Sequence, residues 1–117
     1  MAGSNDDYTP IFNAIPCVMF IGLADDVADV CALGCQPMKI LKVAHAAAAL
    51  PRMVATHPLL VILGAEVPAT AEDEVRQHAA ALGAEVLLES QLDPAAPLDQ
   101  LKALVRQAIL ARSLRSM

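Results

Sequence analysis

Two uninterrupted apolar runs, CVMFIGL from Cys17 and LLVIL from Leu59, constrain the fold of this 117-residue chain more than any other feature. A strand with one wet face alternates apolar and polar residues. A strand covered on both faces is apolar throughout, as in a parallel sheet sandwiched between helices. Parallel strands need helical crossovers, and the segments around these runs supply them. ADDVADVCALG sets Val27, Val30, Cys31 and Gly34 on one face at helical spacing, with Asp25 and Asp26 in the first turn, where the macrodipole favours acids.

The alternation continues. KILKVAH (Lys39 to His45) reads as a second strand, placed at an edge by its two lysines. AAAALPRMVATH carries Leu50, Met53, Val54 and His57 at helical spacing, and Pro51 within it predicts a start near Ala47 or later, with the proline in the first turn, or else a kink. After LLVIL and the loop EVPAT, Thr70 stands three residues before Asp73 in a capping-box-like start, and Val75, Ala79 and Leu82 form a stripe ended by Gly83. AEVLLES is a fourth strand and DPAAP a turn. Leu98, Leu101, Leu104, Val105, Ala108 and Ile109 mark a last helix reaching about Ser113. The order βαβαβαβα predicts an α/β domain: a parallel sheet of about four strands, helices on both faces, and any site at the carboxyl ends of the strands. Residues 1–14 read as a polar N-terminal arm, with Ile11 and Phe12 available to anchor it, and 15–117 as one domain.

Composition narrows the function classes. Hydrophobic residues make up 56% and aromatics only 3%, so the core must come from aliphatic side chains and alanine. A net charge of −5 argues against nucleic acid or an anionic membrane as partner. Charge is segregated: eight acids and the single base Arg76 lie between Glu66 and Asp99, whereas Lys102, Arg106, Arg112 and Arg115 follow without an acid. Three cysteines, an odd number, with no secretory-signal pattern ahead of them, point to a reduced cytoplasmic setting. The longest apolar run is too short to span a bilayer.

Chemistry-bearing constellations are sparse. Cys31 and Cys35 share a helix face and His45 offers a third soft ligand, but no fourth has metal-site spacing, so the cysteines read as buried apolar groups and no metal is expected. His45, His57 and His78 have no Ser or Cys partner in a nucleophile motif, so no catalytic residue is assigned and the chain is not read as an enzyme. Gly22 and Gly64 end neighbouring strands, where glycine lets a ligand approach the backbone. Neither belongs to a phosphate-binding motif, so they are weak cofactor-site candidates and no cofactor is expected.

From Cys17 to Ser113 the chain resembles the receiver domain of two-component response regulators. VMFIGLADDVADVCALG is similar to that family's first strand and helix. VAHAAAALPRMVATHPLLVILGAEVP resembles its Ala-Leu pair, proline, third strand and loop, and ALGAEVLLE with LDQLKALVRQAI resembles its last strand and helix. The resemblance implies a flavodoxin-like, three-layer fold. It also locates the family's phosphorylation pocket, with the acid pair at Gly22 and Leu23, the phosphoacceptor at Gly64 and the lysine at Ser90. None of the four carries the family's residue, and Asp25 and Asp26 come a helical turn too late to replace the pair. Gly64 and Ser90 are only 26 residues apart, one βα unit shorter than the family's spacing, which gives a four-stranded sheet in the order 2-1-3-4.

The expected function is therefore that of a degenerate pseudo-receiver: a non-catalytic, phosphorylation-independent protein-interaction module in bacterial signalling or regulation. By the resemblance its partner surface is the last helix, with Lys102, Arg106 and Arg112 as candidates. A homodimer in which Arg106 or Arg112 meets Glu72 or Glu74 of a second copy is one form of it. The alternative is a sensor of a small anion or nucleotide at the Gly22 and Gly64 strand ends.

Overall fold

A computed structural model describes residues 16–116; the arm expected over 1–14 lies outside the described residues. Four strands alternate with four helices: β1 (Cys17–Ile21), α1 (Asp25–Gly34), β2 (Lys39–Val43), α2 (Ala46–Thr56), β3 (Leu60–Leu63), α3 (Ala69–Leu82), β4 (Glu85–Leu88) and α4 (Pro97–Ser116). A 3-10 turn, Glu89–Gln91, separates β4 from α4. All strand pairs are parallel and the sheet order is β2-β1-β3-β4, as the sequence predicts.

The apolar runs are central strands for the reason that singled them out. Every residue of β1 and β3 is buried. Val18, Phe20, Leu60 and Ile62 share one cluster with Ala28 and Cys31 of α1 and Leu101 and Val105 of α4. Met19, Ile21, Val61 and Leu63 share another with Ala49 and Met53 of α2 and Val75 and Ala79 of α3. Successive strand residues point to opposite faces, so these clusters are the two interfaces of a three-layer sandwich. Each fully buried aliphatic side chain contributes roughly 1.5–3 kcal/mol relative to exposure, and the two clusters together supply most of the driving force.

Both sheet edges are protected. β2 exposes Lys39 and Lys42, and β4 is only four residues long, with its Leu88 N–H donating to Gln91 Oε1 at 2.9 Å. On the first face α1 and α4 approach closely at Gly34, where a Cβ would lie 2.8 Å from Leu101 Cβ. Before α4 the turn is tied by Gln100, whose Oε1 accepts from the Asp93 N–H (2.6 Å) and whose Nε2 donates to the Gln91 carbonyl (2.8 Å).

Two local expectations need correction. Pro51 is the sixth residue of α2, not in its first turn. Its missing N–H leaves the Ala47 carbonyl without a helical donor, but Pro51 and Ala47 are both exposed, so water can take that role. Thr70 is not a cap: α3 starts at Ala69 with Pro68 at the N-cap, and no side chain caps it. Its first helical bond runs from the Glu72 N–H to the Pro68 carbonyl at 2.9 Å. The expected stop holds, with Gly83 at φ 75° and the Ala84 N–H closing on the Ala79 carbonyl at 2.8 Å.

Candidate functional site

At the carboxyl ends of the strands lies a cleft of about 640 Å³. Its walls come from the turn after β1 (Gly22 to Asp25), the end of β2 (Lys42 to Ala44), the residues after β3 (Ala65 and Glu66) and Glu89 after β4. This is the position at which parallel α/β folds place ligands. Gly22, at φ 68°, makes the sharp exit from β1, and its N–H donates to the Val43 carbonyl at 2.9 Å.

Gly64 does not line that cleft. Its N–H donates to the Ile21 carbonyl at 2.8 Å, and the chain there lies tightly against β1. A Cβ on Gly64 would fall 2.6 Å from the Gly22 carbonyl carbon and closer still to its oxygen. The two glycines let two backbones approach each other, leaving no gap between them for a ligand. At the position where the receiver resemblance locates a phosphoacceptor, the space for any side chain is filled by the main chain of Gly22.

The acids of the cleft come from elsewhere. The expectation that the strand ends have lost their oxygen ligands holds at Gly22, Leu23 and Gly64 but not for the cleft as a whole. Asp25 in the first turn of α1, Glu66 after β3 and Glu89 after β4 all line it, together with Lys42. Asp25 follows Gly22 so soon that the turn brings it back to the rim. Glu89 Oε1 accepts a hydrogen bond from the Ala65 N–H at 3.3 Å, joining the β3 and β4 exits. Ser90, expected at the lysine position, sits one residue further in the exposed 3-10 turn and does not line the cleft. The sequence contained a signal for Glu89, the first polar residue after the apolar run of β4, but matching by strand-end distance passed over it.

Three carboxylates against one ammonium make a lining hostile to phosphate. Among the described residues no group of three or more His, Cys, Asp or Glu is placed to hold a metal ion. No Ser, Thr, Cys or His lines the cleft; its nucleophilic atoms are those of the Asp25, Glu66 and Glu89 carboxylates and the Lys42 amine. The cysteines are elsewhere, all buried and outside any disulfide. Burial pushes the Cys35 thiol up to about 12 and raises Cys17 and Cys31 as well, so these groups stay protonated. His45 and His57 are exposed at the two ends of α2; His78 is exposed on α3, with Nδ1 2.9 Å from the Glu74 carbonyl oxygen.

The last helix divides the expected basic surface in two. Arg112 is committed within the chain: Nη1 donates to the His57 carbonyl (2.8 Å) and Nη2 to the Pro58 carbonyl (3.0 Å). His57 terminates α2 at φ 48°, and the guanidinium gathers carbonyls that the ending helix leaves over. Arg112 is therefore a structural clamp between α4 and the α2–β3 connection. Arg112→Ala is expected to lower the unfolding free energy by about 1.5–3 kcal/mol in urea denaturation. Arg112→Lys recovers only part of that, since an ammonium lacks the planar fork.

Lys102 and Arg106, by contrast, are exposed and have no hydrogen-bond or ion-pair partner among the described residues. They border a groove of about 380 Å³ between α4 and the α1–β2 connection, floored by Met38, Val105 and Ile109 and continued by Leu110, which is 58% exposed. On the opposite face Glu72 is already paired with Arg76 at 3.0 Å, so a second copy's arginine would have to compete for it.

The sheet order and strand-end cleft define a parallel α/β domain of flavodoxin-like arrangement. No family model matches the chain, and no curated protein matches it at a significant level. No helix among the described residues is long and apolar enough to cross a membrane.

Proposed function

We propose that the chain is a shortened, receiver-like protein-interaction module of bacterial signalling or regulation, working in the cytoplasm without catalysis and without phosphorylation. The carrying observation is the exposed face of α4, where a basic stretch borders an apolar groove. Lys102 and Arg106 have no partner there among the described residues, and Leu110 and Leu114 are exposed at 58% and 71%. Apolar surface rimmed by charge is the common signature of a protein-binding face. Independence from phosphate is supported by the Gly22–Gly64 contact, which occupies the position an acceptor side chain would need. The anion-sensor alternative draws no support from a cleft lined by Asp25, Glu66 and Glu89.

The test is Arg106→Glu. The substitution is on an exposed helix position and should leave the unfolding free energy within about 0.5 kcal/mol of wild type. Capture of a protein partner, or of a second copy, from the native cytoplasm at low salt should fall at least several-fold, and more at low than at high ionic strength. Unchanged capture and unchanged sedimentation mass would remove α4 as the binding face.

A further inference from the structure

We draw no further inference here: the strongest candidate, the strand-end cleft lined by Asp25, Glu66, Glu89 and Lys42, rests on an acidic cluster alone, since among the described residues no buried side-chain polar atom without a partner points into it.

Discussion

Gly64→Ala is expected to destabilise the domain by at least about 3 kcal/mol, far more than a typical exchange of glycine for alanine. The single added carbon would fall onto the Gly22 carbonyl group, 2.6 Å from its carbon, and no part of that group is the free end of a side chain. Relief requires the exits of β1 and β3 to separate, which strains the bond from the Gly64 N–H to the Ile21 carbonyl. Gly22→Ala is the internal comparison. Its φ of 68° costs a residue with a Cβ about 1–2 kcal/mol, and its nearest obstacle, Val67 Cγ2 at 3.2 Å, can move. Urea denaturation of both variants should rank them in that order. A Gly64→Asp protein should be at least as damaged as Gly64→Ala, so returning an acid to this position does not rebuild a phosphoacceptor.

Phe20→Ala should cost about 3–5 kcal/mol, enough to bring a domain of ordinary stability near its folding threshold. Phe20 is 1% exposed and is the largest fully buried side chain among the described residues. It packs in the α1/α4 cluster and also reaches the floor of the strand-end cleft. Its removal opens the core toward that cleft, where water can enter, so the measured loss should lie toward the lower part of the range if the cavity hydrates and toward the upper part if it stays dry. The denaturation midpoint in urea, with an unchanged slope, is the readout.

How far the sequence revealed this molecule depends on the physical signal at each place. β1 and β3 were legible because burial on both faces demands the unbroken runs at Cys17 and Leu59, and Gly83 was legible because a left-handed helix stop favours glycine. Helix starts were less so: Thr70 had the chemistry of a cap, but Pro68, with its fixed φ, already sets the backbone from which α3 departs. The candidate site was legible in location and not in content. Strand-end glycines suggested open space, yet the same lack of a Cβ serves equally for close packing of two backbones, and only their separation distinguishes the cases. Glu89 and Asp25 reach the cleft through turns whose geometry has no periodic signature, and Arg112 spends its charge on carbonyls more than fifty residues away.

On this reading the strand ends do not take up a phosphoryl group. Incubation of the intact protein with acetyl phosphate and magnesium, followed by intact-mass measurement, tests that claim most directly. A single unmodified mass is expected over the whole time course. A labile acyl-phosphate adduct on Asp25, Glu66 or Glu89, removed by hydroxylamine, would contradict it.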